Sequence, residues 1–486
     1  MADIISSISG VMYGYILIIL LVGCGIYFTI RTKGSQFRLK AQFKSVTEKP
    51  KSKKAVSSFQ ALMVSTASRV GTGNIIGVST AICMGGFGSV FWMWIIALIG
   101  GASALIESTL AQIYKRKGLN GCYGGPAYYI ETGLKSRWLA IVFSVLLILT
   151  YGVGFNMLAS YNLQSTFETF SFYSHESTPW IIGAIVAVLV GYCLIGGGKR
   201  IIKVTSWLVP IMGAVYILIA LVIIFMNVTT LPSVFARIFT EAFDFNAIFG
   251  GFSGSCLMYG IKRGLYSNEA GVGSAPNASA SALVSHPVKQ GFVQTLSVFI
   301  DTIVVCSATA FMCMCSGVEA TENISGAQYV QASLQATLGG FGPIFIAVAM
   351  VLFAFTTLIG NLFYVDKAII HIFKKEPNKI VKIIYYVLFS GVILVGAGLN
   401  TPVLWDVSDI FMGLMAMINI PVIIILGRYA LRAIGDYIRQ KKQGLDPTFL
   451  ASNIGLPHKV DYWQGGDDEE LSSKNPVIEE ETDMAN

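Results

Sequence analysis

Residues 67–74 read Ala67-Ser68-Arg69-Val70-Gly71-Thr72-Gly73-Asn74, inside an apolar stretch that runs over 57–83. Each glycine lowers helix stability by about 1 kcal/mol relative to alanine. Two of them beside Thr72 and Asn74 predict a local unwinding. Unwound backbone frees N–H groups for a carboxylate and C=O groups for a cation. In lipid this is tolerated only where the backbone faces a cavity. The half-helix that follows presents its positive N-terminal end to an anion. A zwitterionic amino acid with Na⁺ fits such a break. The competing reading is close helix packing through small residues.

The surrounding chain has the composition of a helical bundle in a bilayer. Of 486 residues, 54% are hydrophobic and 13% charged, too few polar groups to cover a soluble globule. Eleven apolar segments reach, or nearly reach, the ~20 residues that cross the hydrocarbon: 11–31, 57–83, 89–114, 137–160, 179–197, 202–227, 247–273, 289–315, 341–372, 379–398 and 404–431. Basic residues test the count, because they accumulate on the cytoplasmic side. The 32–56 connection holds eight of them, Lys33 to Lys54, and is placed inside. Alternation then puts Lys115–Lys117, Lys135/Arg137, Lys199–Lys203, Lys262/Arg263/Lys289, Lys367–Lys382 and Arg428–Lys442 inside as well. The expected outer loops hold a single basic residue, Arg237. The N-terminus is therefore expected outside and the C-terminus in the cytoplasm.

Topology thus accounts for the net charge of +7, and no nucleic-acid partner is expected. No cleavable signal peptide is evident, because the first apolar segment lacks a basic run before it. Eight cysteines include no C-x-x-C pair, and seven of them sit in apolar stretches as packing residues. His175, His286, His371 and His458 are dispersed, so no metal beyond sodium and no cofactor is expected. Nucleophile–base pairs are not seen inside the bilayer segments, so the chain is not expected to be an enzyme. Three regions are expected: an extra N-terminal helix and basic loop (1–56), a ten-helix core (57–431) and a polar, partly disordered tail (432–486) with an acidic end.

Ten core helices invite a five-plus-five grouping, as in transporters built from inverted repeats with a site at the membrane midplane. The first helix of each half carries unusual glycine. The 57–83 segment has Gly71 and Gly73; the 247–273 segment has Gly250-Gly251, Gly254 and Gly260.

Several runs resemble the alanine/glycine:cation symporter family. They are Gly85-Gly86-Phe87-Gly88-Ser89-Val90-Phe91-Trp92-Met93-Trp94, Ser58 through Asn74, Gly124-Gly125-Pro126-Ala127-Tyr128-Tyr129-Ile130-Glu131, and Gly260-Ile261-Lys262-Arg263-Gly264-Leu265-Tyr266-Ser267-Asn268-Glu269-Ala270-Gly271. The resemblance implies an all-α polytopic membrane protein of eleven transmembrane helices, with a leucine-transporter-like core of inverted repeats plus one N-terminal helix. It implies uptake of alanine, glycine or glutamine with Na⁺ across a bacterial plasma membrane. The Val70–Asn74 run also resembles the break of neurotransmitter:sodium symporters. On that likeness Gly71, Thr72, Gly73 and Asn74 surround the substrate, with the Thr72 and Gly73 N–H groups on its carboxylate. The Ala67 and Val70 carbonyls, with Thr356 and Thr357 hydroxyls, would bind Na⁺. Gly250, Gly251 and Gly254 are the expected counterpart in the sixth core helix.

Arg69 stands out, because an arginine inside a membrane helix costs about 2.5–3.5 kcal/mol or more. The branch of the family that takes glutamine looks closer here. Arg69 is expected either to replace a second Na⁺ or to hold helices together by a salt bridge, with Glu107 and Asp301 as candidate partners. Glu107 or Asp301 could alternatively carry a coupling proton. Phe155 and Asn156 are third-core-helix candidates for lidding and lining the pocket, against plain packing. Asn361, like Ala159 and Tyr161, departs from the family's usual residue and bears on substrate identity. Glu269 reads as a gate or loop-ordering residue. The expected partners are an amino acid, Na⁺ and the lipid bilayer, with no obligatory protein partner.

Overall fold

The computed structural model describes residues 2–48, 55–118, 121–244, 255–321, 324–399, 403–457 and 459–464. Helix α1 (Asp3–Arg31) leads to a short α2 (Leu39–Val46). A broken pair follows, α3 (Ser58–Arg69) and α4 (Gly73–Gly85), and then α5 (Gly88–Ile113). A hairpin of β1 (Arg116–Gly118) and β2 (Gly121–Tyr123) precedes α6 (Pro126–Gly133). Next come α7 (Arg137–Ser165), α8 (Thr178–Ile195), α9 (Gly197–Met226) and the peripheral α10 (Leu231–Ala242). A second broken pair is α11 (Cys256–Asn268) and α12 (Pro276–Ser279). It leads to α13 (Pro287–Met314), α14 (Ala327–Leu338), α15 (Phe341–Phe373), α16 (Lys379–Gly398) and α17 (Val403–Lys442).

Nine of the described helices are long and apolar enough to cross a membrane. The expected eleven is reached only when each broken pair counts as one crossing. Local chemistry sets the boundaries. Ser57 Oγ accepts from the Gln60 N–H at 3.1 Å while Gln60 Oε1 accepts from the Ser57 N–H at 2.9 Å, a reciprocal cap that starts α3. Pro287 at the first turn of α13 sacrifices no helical hydrogen bond. Helix α1 lies outside the ten core crossings, held by the Tyr13 O–H on the Asp409 carbonyl at 3.0 Å.

One face carries α2, the hairpin and α6. There Glu131 clamps α6 to its neighbours, with Arg137 at 2.6 Å and His371 at 2.7 Å. Burial pushes the Glu131 carboxyl up, but the Arg137 and His371 contacts outweigh burial and hold it below its ordinary value.

Two features differ from the sequence expectation. Lys262 and Arg263 are not on this basic face. They lie on α11, in the opposite half, because the sixth crossing is interrupted at 269–275 rather than running as one helix to 273. The chain after 431 also differs: α17 continues to Lys442, and the stretch through 464 docks on the basic face. Phe449, Ile454, Tyr462 and Trp463 are buried anchors that the segment's average polarity hides. The Trp463 indole N–H donates to the Gln112 carbonyl at 2.9 Å. The Lys115 ammonium lies 4.7 Å from the Tyr462 ring and 4.6 Å from the Trp463 ring. Gln112 and Lys115 in turn donate to the Ala282 carbonyl at 2.9 and 3.3 Å, and the Leu283 N–H meets the Val56 carbonyl at 3.0 Å, just before α3. Trp463→Ala is expected to weaken this docking by about 3–5 kcal/mol. Limited proteolysis beyond Lys442 then accelerates at least about 100-fold; an unchanged cleavage rate contradicts the docking.

Candidate functional site

The first break turns on one residue. Val70 leaves the helix with φ −77° and ψ 89°, after its N–H closes the last α3 bond to Thr66 at 2.7 Å. The Gly71 N–H then turns to the Asn74 side chain, donating to Oδ1 at 2.8 Å. The Ala67 carbonyl thereby loses the donor four residues on. The first N–H groups of α4 lack intrahelical acceptors, as at any helix start.

Helix α15 presses on this break. A Cβ at Gly360 would lie 2.8 Å from the Ser68 nitrogen, so only glycine allows the approach. One turn earlier, Thr357 abuts Gly71, and its hydroxyl is buried with no partner among the described residues. Thr356 points differently. Its hydroxyl donates back to the Leu352 and Phe353 carbonyls at 3.0 Å each and lies 3.6 Å from Met212 Sδ.

Aromatic rings close over the break. Tyr266 stands between Phe155, at 4.7 Å, and Trp405, at 5.1 Å between ring centres. Asn162 Nδ2 donates to Thr72 Oγ1 at 3.3 Å. Beyond the rings opens a cavity of about 440 Å³ that includes Thr80, Asn162, Lys262, Arg263 and Asp406 in its wall. Lys262 meets Asp406 at 3.1 Å and Asp409 at 3.0 Å, and Arg263 also pairs with Asp409. A second cavity of about 400 Å³ opens on the basic face beside Gln60, Asp366, Lys367 and Glu376. Gln60 and Thr80 belong to the same crossing, so the break at 70–72 separates the two cavities.

The second break begins at Glu269, in the left-handed region at φ 53°, followed by Gly271 at 85° and Gly273 at 91°. Gly250, Gly251 and Gly254 lie outside the described residues. Three buried carboxylates gather here. Asp301 accepts from Asn74 Nδ2 at 2.8 Å, Ser267 Oγ at 2.7 Å and Thr302 Oγ1 at 2.9 Å. Glu107 accepts from Asn419 Nδ2 at 2.9 Å and the Gly271 N–H at 3.4 Å. Glu269 contacts Ser68 Oγ at 3.0 Å and Ser274 Oγ at 2.6 Å. Ser68 Oγ also lies 2.7 Å from Asn361 Oδ1, and Asn361 Nδ2 donates to Asn156 Oδ1 at 3.0 Å.

Arg69 corrects an expectation. Its guanidinium is 2% exposed and pairs with no carboxylate within 4.0 Å among the described residues. Nη1 donates instead to the Gln294 carbonyl at 3.3 Å and to Gln294 Oε1 at 3.2 Å. Glu107, Glu269 and Asp301 feel its charge without touching it. The helix-to-helix tie is to the α13 amide, and the carboxylates are held by neutral donors.

The sequence profile described as the sodium:alanine symporter family matches residues 1–451. The chain belongs to the sodium:alanine symporter family. It is 41% identical over 474 residues to the probable sodium/glutamine symporter GlnT of Bacillus subtilis, covering 96% of this chain and 98% of that one. It is 40% identical over 483 residues to the putative sodium/proton-dependent alanine carrier protein YrbD of the same organism, covering 96% and 98%. Among solved structures it resembles MhsT in complex with L-phenylalanine, with a TM-score of 0.57 at 16% identity, covering 79% of this chain and 92% of that one. That likeness shows the leucine-transporter fold. The chain is an integral membrane symporter of an amino acid and a cation, and its family is one of transporters rather than enzymes.

Several residues of this symporter's site escape a reading of the sequence. Asn162 and Asp409 are single residues on long helices, with no motif around them, and Tyr266 lies in the Gly260–Gly271 run without a role that the run announces. The signal for Arg263 was its charge inside an apolar segment, which called for a buried acid on another helix. Asp409, five residues into an apolar segment, answers it.

Proposed function

We propose that this symporter takes up a small neutral amino acid, of the class of alanine, glycine or glutamine, together with one Na⁺. The observation that carries the reading is the released Ala67 carbonyl opposite the unpartnered Thr357 hydroxyl across Gly71. Hard oxygen donors of this kind suit an alkali cation. The Val70 carbonyl at the break completes the candidate set; Thr356, expected as a further ligand, turns its hydroxyl back onto the Leu352 and Phe353 carbonyls instead. The α4 N-terminus, with the Thr72 and Gly73 N–H groups, receives the substrate carboxylate. Asn156, Asn361 and the Phe155–Tyr266 pair flank the remaining space, and their amides suit a polar side chain.

The chain sits in a bacterial plasma membrane with its basic face, hairpin and docked tail in the cytoplasm. Even without Lys262 and Arg263, the short loops of that face hold most of the basic residues. Na⁺ completes the outward-facing pocket, and substrate then shifts the population toward the inward-facing state. Arg69 supplies a fixed charge in place of a second cation.

Uptake into proteoliposomes with Na⁺ replaced by choline at constant pH is the test. The expected result is a loss of at least about tenfold in initial rate, the effect of some 1.4 kcal/mol of cation binding. Undiminished uptake refutes sodium coupling. A measured ratio of two Na⁺ per substrate refutes the role of Arg69.

A further inference from the structure

The start of α3 is held in a frame on the basic face. The Leu283 N–H donates to the Val56 carbonyl at 3.0 Å, and Gln290 Nε2 donates to Ser58 Oγ at 2.9 Å. Gln112 and Lys115, at the end of α5, fix the same stretch through the Ala282 carbonyl. The cavity of this face takes Val56, Gln60 and Ser281 from the frame, Cys122 from the hairpin, and Asp366 and Lys367 from α15. It stops short of the break at 70–72, where Gly360 seats α15 against the Ser68 backbone. A path from this cavity to the break requires α3 to part from α15.

The docked segment 443–464 bridges the pieces that must then move. On the frame, Ser285 Oγ donates to the Pro447 carbonyl at 2.9 Å, Lys289 pairs with Asp446 at 3.4 Å, and the Trp463 indole holds the Gln112 carbonyl. On the hairpin, Arg116 pairs with Asp461 at 2.7 Å, and Cys122 Sγ lies 3.1 Å from the Tyr462 hydroxyl. The hairpin runs directly into α6. Arg116 also donates to Thr132 Oγ1 on α6 at 2.9 Å. Helix α6 in turn is fastened to α15, by the Tyr128 O–H on the Lys367 carbonyl at 3.2 Å and by Glu131 on His371 at 2.7 Å. The chain itself joins α5 to the hairpin at 114–115. The segment spans this joint, gripping Gln112 before it and Arg116 and Cys122 after it, and so stops it bending.

The segment is also strained. It closes on itself where the Ala451 N–H donates to the Trp463 carbonyl at 2.7 Å. Trp463 there has φ 74°, in the left-handed region that a bulky side chain rarely adopts. Such a conformation persists only where its surroundings over-determine it, and it collects at switches. The surroundings here are the Gln112 carbonyl, the Phe449 ring at 5.4 Å and the Lys115 ammonium at 4.6 Å. Undocking relieves the strain, so the docked and free forms lie closer in energy than the contacts alone would place them.

We propose that residues 443–464 are an autoinhibitory strap, which when docked splints the joint between α5 and the hairpin and slows the cytoplasmic opening of the symporter. Undocked, the strap leaves α3 able to part from α15, and turnover rises. The strap lends no residue to the walls of either cavity beside the break. It therefore acts on the motion and not on the substrate. The inhibition rests on the alternating-access reading of this symporter.

The test uses the full chain. The Arg116 and Asp461 side chains are 34% and 36% exposed, so charge changes there spare the core. Asp461→Arg sets two cations against each other and is expected to free the strap. Initial uptake of L-alanine or L-glutamine into proteoliposomes then rises about fivefold, the scale of one half-exposed ion pair. The swapped pair Arg116→Asp/Asp461→Arg restores the attraction and returns the rate towards wild type. Hydrogen exchange over residues 58–66 is the substrate-free readout and follows the same order. Limited proteolysis beyond Lys442 reports whether the strap is free. Should Asp461→Arg leave it docked, Trp463→Ala takes its place with the same expectations. Unchanged or slower uptake of a transported probe with the strap free overturns the proposal. So does exchange over 58–66 that ignores the strap. Exchange that responds in a protein taking up neither probe upholds the strap and instead removes the substrate class.

Discussion

Gly71→Ala lowers Na⁺-driven uptake by at least about 100-fold, the scale on which ~1 Å displacements at a site are felt. The new methyl would overlap Thr357 Oγ1 and lie 3.1 Å from Thr357 Cβ. It cannot be accommodated by a small shift, because Gly360 already holds α15 against the Ser68 backbone. The break must move away from α15, which separates the Ala67 carbonyl from the Thr357 hydroxyl. The double variant Gly71→Ala/Thr357→Ala removes the overlap. It is expected to recover folded yield but not Na⁺ affinity, since the hydroxyl ligand is gone. Na⁺-dependent thermal shifts of both variants separate the two effects. A Gly71→Ala protein with wild-type Na⁺ dependence contradicts the placement of the cation at this break.

Arg69→Met costs about 3–5 kcal/mol of stability, the scale for removing one partner of a buried charge arrangement. Glu107 and Asp301, both fully buried, are left with no countercharge in the membrane interior. Neutral donors satisfy their lone pairs but not their charge. Partial recovery is expected at high Na⁺, because the cation then supplies the missing positive charge and stabilises the state it binds. Melting temperature against Na⁺ concentration is the measurement. An Arg69→Met protein as stable as wild type in low Na⁺ shows that the carboxylates are already neutral, and removes the charge argument.

Much of this architecture is legible in residue order. A membrane helix is a local object, satisfied by its own backbone and written in a run of apolar side chains, so the crossings can be read one by one. The first break was legible for the same reason, since Gly71 and Gly73 weaken a helix wherever it packs. The second was legible only in part. Gly250, Gly251 and Gly254 lie outside the described residues, and the described ones have an unwound stretch at Glu269, Gly271 and Gly273. Helix α11 ends there with Glu269 in the left-handed region, a conformation that composition does not announce. The docking of the tail up to 464 was not legible, because a few aromatic anchors outweigh many polar neighbours once a groove exists to receive them.

What residue order determined alone is therefore the membrane class, the family and the first helix break, all carried by local propensity and contiguous motifs. What only the tertiary structure decided is the pairing of distant polar groups. A salt bridge from Arg69 to Glu107 or Asp301 was one of two expectations, and Arg69 is found on Gln294, 225 positions away. Ser68 on α3, Asn361 on α15 and Glu269 at the second break meet at one hydroxyl. Inside a bilayer each buried polar group must find a partner, and the rotation and depth of every helix select which one. That selection depends on the packing of the whole bundle, so the Val70–Gly71 break could be found in the sequence while its partners could not.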